Sequence, residues 1–259
     1  MRGSPYWVIV CDLFHSHEPD HETVVVGFPT KELAVEYARR RVWSSVEEMK
    51  APGRSPEQVR ERWLAFGEDC RVVGPGGEVV YLARSELETF IARPIPPERR
   101  DWVGLYKSLL PEGFRFAYEW AAATVPPPGH YEYTIEVGPG ERGHITFWPD
   151  YPGPDVPRWE QDFLPSLGGR IVLANWLRVT GWLDSPPPQP AEPPIGGETG
   201  VLDVTAGGRR AQIRLHWLPE RDHQELHRAV RAVVPDYVWE KVEAWRQEYV
   251  QRIYGSEEM

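Results

Sequence analysis

A chain of 259 residues, 41% hydrophobic and 26% charged, carries enough apolar side chain for one large core or two small ones, which excludes wholesale disorder. The formal net charge is −10, and after residue 100 there are 23 acidic against 15 basic residues, compared with 16 and 14 before it. An acidic surface repels phosphate backbones and argues against general nucleic-acid binding.

The first expected element is a buried strand over residues 6–14 (YWVIVCDLF), which is β-branched and aromatic and lacks Gly or Pro. A polar connection follows, then a second strand over residues 23–28. Thr30 is placed to cap a helix over residues 31–50, where Leu33, Tyr37, Val42 and Val46 approximate an apolar stripe. The three arginines Arg39, Arg40 and Arg41 in that helix read as a solvated face. Ala51-Pro52-Gly53 stops it, and Ser55-Pro56-Glu57 starts another that runs to about Phe66. Residues 71–73 and 78–82 flank Gly74-Pro75-Gly76-Gly77 and predict a hairpin, followed by a short helix from Ser85, its expected cap, to Ala92.

Pro94-Ile95-Pro96-Pro97 marks the end of this unit. A short connecting helix over residues 101–110 and a stiff Pro-rich spacer over 125–129 come next. Residues 131–137 (YEYTIEV) alternate cleanly and pair with 144–148 across a Gly-rich turn, with 158–163 as a third strand. Residues 171–183 suit a buried helix, and 185–200 form a Pro/Gly loop. Residues 200–205 and 209–215 make a hairpin around Gly207-Gly208, and two helices, about 220–233 and 236–254, close the chain. The expected fold class is α+β in two domains, each a small, mainly antiparallel sheet with packed helices. The boundaries are 1–95 for the first domain, 96–128 for a helical and Pro-rich connector, and 129–259 for the acidic second domain. Both domains combine hairpins with helices, so a distant duplication is compatible with the pattern, although no repeat is visible.

Cys11 and Cys70 make neither a disulfide framework nor a zinc knuckle, and Cys11 reads as a buried free thiol. No apolar run reaches the roughly 18 residues of a membrane span. No signal pattern opens the chain, so a cytoplasmic protein without membrane association is expected. Residues 1–4 are set aside as a leader. Arg outnumbers Lys 25 to 4, Asn175 is the single asparagine, and Pro is abundant at 27. That composition suits a heat-adapted protein, though GC-rich codon usage gives the same Arg excess.

Three stretches hold candidate chemistry. In Asp12-Leu13-Phe14-His15-Ser16-His17-Glu18-Pro19-Asp20-His21, three of the eight histidines fall within seven residues. His15 and His17 alternate and project the same way in an extended segment. His21 can swing back across Pro19, and Asp20 or Asp12 can complete a metal set for zinc or another divalent transition metal. The second stretch, Asp222-His223-Gln224-Glu225-Leu226-His227, puts two histidines four apart on one helix face. A zincin places Glu directly after the first His; Gln224 stands there, so these histidines read as the edge of the core face. His130, His144 and His216 are isolated. The third stretch, residues 147–159, packs Trp148, Tyr151, Arg158 and Trp159 between prolines. It is stiff, it cannot continue a sheet ladder at its prolines, and its residue types are those of binding hot spots.

No phosphate-cradling loop, nucleophile-elbow serine or dinucleotide fingerprint occurs. The expectation is therefore a non-catalytic binding or adaptor protein, an inhibitor or regulator acting through a protein partner at Trp148, Tyr151, Arg158 and Trp159. The alternatives are a small metal-dependent hydrolase using His15, His17 and His21, and a structural subunit of an obligate complex. No cofactor is expected beyond that divalent metal.

Overall fold

A computed structural model describes residues 5–18, 20–123, 125–126, 128–140, 142–188 and 197–255. Residues 1–4, Pro19 of the His-rich run, Pro127 of the spacer, Glu141 of the 138–143 turn and residues 189–196 of the Pro/Gly loop lie outside the described residues. The chain divides into two compact units, Met1–Leu110 and Pro111–Met259. Each is an antiparallel sheet with packed helices, and the fold is α+β. Among the described residues no helix is long and apolar enough to cross a membrane.

The first unit runs β1 (Tyr6–Asp12), β2 (Glu22–Phe28), α1 (Lys31–Met49), α2 (Pro56–Phe66), β3 (Glu68–Val73), β4 (Val79–Leu82), α3 (Leu87–Ala92) and α4 (Trp102–Lys107). The strand order is β2-β1-β3-β4. Val8, Val10 and Val72 point from the sheet onto Ala34, Tyr37, Ala38, Val42 and Val46 of α1, all buried. The helix starts follow the sequence signals. Thr30 accepts the Leu33 N–H, and Ser55 and Gln58 form a reciprocal capping box ahead of Pro56 at the first turn. Ser85 is not a cap: its hydroxyl donates to the Leu82 carbonyl within a 3₁₀ turn, and α3 begins only at Leu87. The arginines of α1 are not a solvated face either. Arg39 pairs with Glu86 and Arg40 with Glu36. Arg41 holds Glu68 through two hydrogen bonds of 2.9 Å and lies 4.6 Å over the Trp102 ring.

The second unit runs β5 (Arg115–Ala121), β6 (Glu132–Val137), β7 (Gly143–Trp148), β8 (Trp159–Phe163), α5 (Leu167–Thr180), β9 (Thr199–Ala206), β10 (Arg209–Arg214), α6 (Glu220–Arg231) and α7 (Asp236–Tyr254). Its strands are ordered β10-β9-β5-β6-β7-β8. Residue alternation sends Phe116, Tyr118, Trp120, Tyr133, Ile135, Leu202, Val204 and Ile213 to one buried face. Helices α6 and α7 pack on that face, through Tyr118 against His227 and Tyr133 against Trp239. Gly207 and Gly208, both at positive φ, make the tight turn between β9 and β10. Gly169 in α5 is required for a different reason, since a Cβ there would collide with the Ala232 carbonyl between α6 and α7.

Within residues 96–128, expected as a connector, two described segments pack with the units on either side. Trp102, Leu105, Tyr106 and Leu109 pack against the first core, and the Tyr106 hydroxyl donates to the Val26 carbonyl at 2.7 Å. Residues 115–121 alternate Arg-Phe-Ala-Tyr-Glu-Trp-Ala and form β5, an interior strand of the second sheet. Pairing in register with both β6 and β9 buries every second side chain, which a linker could not do.

Candidate functional site

The His-rich run is the turn between β1 and β2. Asp12 accepts the Phe14 N–H at 2.9 Å and pairs with His15 Nδ1 at 2.7 Å. That bond lowers the Asp12 carboxyl and raises the exposed His15 imidazole. His21 Nδ1 lies 2.6 Å from the Glu18 carbonyl. His15, His21 and Asp20 share a shallow basin of about 260 Å³ with Glu18, Arg41 and Glu68, and His17 does not line it. Each engaged ring nitrogen is thus taken by its own turn. Among the described residues no group of three or more His, Cys, Asp or Glu side chains is placed to hold a metal ion. The set His15, His17, His21 and Asp20 is therefore not assembled, because the turn closes on its own Asp12 and Glu18 instead of gathering imidazoles.

In the aromatic loop, Trp159 belongs to the scaffold. Its ring stacks between Phe147 and Trp245, 6.2 and 5.6 Å away with 14° between planes in both cases. The Arg158 guanidinium lies 5.9 Å over Trp148 and pairs with Glu160. Tyr151 stacks on the buried His130 at 3.6 Å and stays 41% exposed. Behind them the buried Asp150 accepts from the hydroxyls of Tyr249 and Tyr254 in α7, at 3.4 and 3.3 Å. The loop is stiff because the core holds it at several points.

A cavity of larger volume than that basin lies in the second unit. A cleft of about 660 Å³ is lined by Glu198, His216, His223, His227, Arg228 and Arg231, with Gly197, Leu218, Glu220 and Gln224 completing it. Helix α6 supplies most of it. Leu226, Ala229 and Val230 bury one side, and the histidines and arginines four apart fall on another. His216 comes from the 3₁₀ turn after β10, and Glu198 from the residue before β9. From interior strand β5, the Tyr118 hydroxyl reaches His227 Nδ1 and shares a hydrogen bond of 2.8 Å.

The electrostatics of the cleft are one-sided. Burial, then Arg231 and His223, lower His227 to a pKa of about 4. Burial, then Arg214 and His223, also lower His216. Burial first, and then Tyr133, raise Tyr118 well above the ordinary phenol value. Tyr118 and His227 are therefore both neutral at pH 7. The His223 and His227 rings are 6.4 Å apart. His223 Nε2 lies 3.7 Å from Glu198, too far for a hydrogen bond. Among the described residues, His223 Nε2 and His216 Nδ1 are buried without a hydrogen-bond partner.

No family model and no curated protein matches the chain. The cleft therefore has to be read from its own residues. His223 and His227 are drawn from the expected helical pair, but the edge-of-core reading missed their partners. Tyr118 and Glu198 are 109 and 25 residues away from them, and only the β9-β5 pairing brings both strands beneath α6.

Proposed function

We propose that this protein acts by recognition rather than turnover, and that its recognition site is the histidine cleft of the second unit. The observation that carries the reading is the cleft itself, a cavity of ligand size lined by polar groups from three segments, one of which, His227, is held from below by Tyr118 of a fourth. Its chemistry favours holding a ligand over transforming one. A general base works best with a pKa near the working pH. His227, at about 4, is a weak base at pH 7, and its Tyr118 partner is a correspondingly weak acid. A crystallographic fragment screen tests the site. Fragments should collect against His216, His223 and Arg228; a screen whose fragments collect elsewhere and leave the cleft empty contradicts it.

A second recognition surface is supported by Tyr151, which is exposed yet fixed by its stack on His130, and by the Trp148–Arg158 pair beside it. Anchored aromatics cost little entropy on binding, which suits a protein partner. Trp148→Ala and Tyr151→Ala should weaken capture of that partner from a native lysate and leave the circular dichroism unchanged. Equal capture by both variants removes this surface. Trp159 is left out of the contact because its ring is committed to Trp245.

A further inference from the structure

We infer that the ligand of the histidine cleft is a small organic anion carrying a carboxylate or phosphoryl group, which rests on the reading of that cleft as the recognition site. Arg228 and Arg231 line the cleft, and neither has an ion-pair partner among the described residues. Arg158, Arg209, Arg210, Arg221 and Arg246 of the same unit lie within ion-pair distance of a carboxylate, whereas Arg115, Arg178, Arg214 and Arg252 do not among the described residues; what distinguishes Arg228 and Arg231 among the unpaired arginines is that both line the cleft. Arg231 is fixed by its guanidinium, 3.7 Å over the Trp239 ring. That contact orients the charge without neutralising it. Arg228 is exposed on the same helix, one turn back.

Beside these charges stand two buried imidazole nitrogens that make no hydrogen bond among the described residues, His216 Nδ1 and His223 Nε2, the latter 3.7 Å from the Glu198 carboxylate. Buried polar nitrogens without partners are uncommon and costly, and an incoming group can satisfy them. Two acids also line the cleft. Glu220 is engaged by the Gln224 amide, and Glu198 is 52% exposed. Neither offsets the arginines from within hydrogen-bond range. The result is a concave site with more donors and positive charge than its own chain satisfies, which is the complement of an anion. The volume of about 660 Å³ leaves room for an organic body behind the charged group.

The test is calorimetric titration of the full chain with inorganic phosphate, with succinate and with glucose as a neutral probe. It is run on the wild type, Arg228→Gln, His223→Gln and the control Arg209→Gln, an arginine outside both recognition surfaces. Circular dichroism checks the fold of each, and two independent cleft variants guard against one failing to fold. The inference expects at least one anion to bind, with a loss of about tenfold or more in both cleft variants, the effect of removing one charge-assisted hydrogen bond. Arg209→Gln should bind as the wild type does, and the tighter of the two anions names the group. Anion binding that survives both cleft substitutions overturns the inference. Binding of glucose with neither anion bound also overturns it, as does the absence of all binding. If fragments still occupy the cleft in those last two cases, only the anion chemistry falls and the cleft remains the recognition site.

Discussion

The two units each hold a histidine triplet, and the triplets behave in opposite ways. His15, His17 and His21 are close along the chain and exposed in a turn, where Asp12 and the Glu18 carbonyl occupy the ring nitrogens that are engaged. His216, His223 and His227 come from a 3₁₀ turn and a helix, and a buried tyrosine from an interior strand reaches up to one of them. His15 and His21 of the first group line a small basin, and the second group lines a cleft more than twice its volume. Concentration along the chain favours local turn bonds, because neighbouring polar groups satisfy one another at little entropic cost. Concentration in space requires a scaffold that holds the groups apart from such partners, and it leaves nitrogens available to a ligand.

The largest expected effect that separates the two triplets is on acid stability. His227 has a folded pKa of about 4, against an ordinary histidine value of 6.5. The unfolded chain therefore binds a proton at this site before the folded chain does. Stability present above pH 6.5 falls as the pH drops toward about 4 and levels off below it. The loss is on the order of 3 kcal/mol from this one group. Urea unfolding at pH 7 and pH 4 should show a pH-dependent component in the wild type that His227→Gln lacks. Equal pH slopes in the two proteins would break the distinction between a cleft histidine held off its charged form and the histidines of the turn.

A smaller effect is expected for Tyr118→Phe, which removes one hydroxyl and leaves His227 Nδ1 buried without that partner. The expected cost is about 1–3 kcal/mol at pH 7 by chemical denaturation. No change would mean that water already serves His227. In the loop, His15→Ala and His17→Ala should leave the unfolding midpoint where it was, since exposed side chains in turns contribute little. A pronounced drop for either would show that the turn carries more of the first unit than its exposure allows. The smallest expected effect is that of zinc. With His15 and His21 held by separate local partners, added zinc should not raise the melting temperature. A rise abolished by His21→Ala would restore the metal reading of the run.

Much of the fold could be read along the chain because its elements obey short-range rules. Thr30 and Ser55 cap as expected, Gly207-Gly208 turns a hairpin, and the alternation of residues 131–137 is a strand. The strand inside residues 96–128 is harder to see along the chain, because prolines on both sides of it suggest a spacer. Arg115 to Ala121 carries the same two-residue alternation as β6, and it is an interior strand. The cleft was harder to read for a topological reason. His223 and His227 announce a shared helix face, but nothing near them in the chain points to Tyr118, which the order β9-β5 places under α6. Arg41 shows the same limit in the first unit. A run of three arginines on a helix suggests solvent, until Glu68 from β3 and Trp102 from α4 enclose one of them.

The most direct test of the central claim, that the ligand site is the cleft and not the turn, is a histidine-ring nuclear magnetic resonance spectrum of the full chain with and without inorganic phosphate at pH 7. Assignments come from single His→Gln variants. The resonances of His216 and His223 should move on addition of phosphate, with those of His15, His17 and His21 fixed. Movement of the turn histidines with the cleft resonances unchanged would contradict the account.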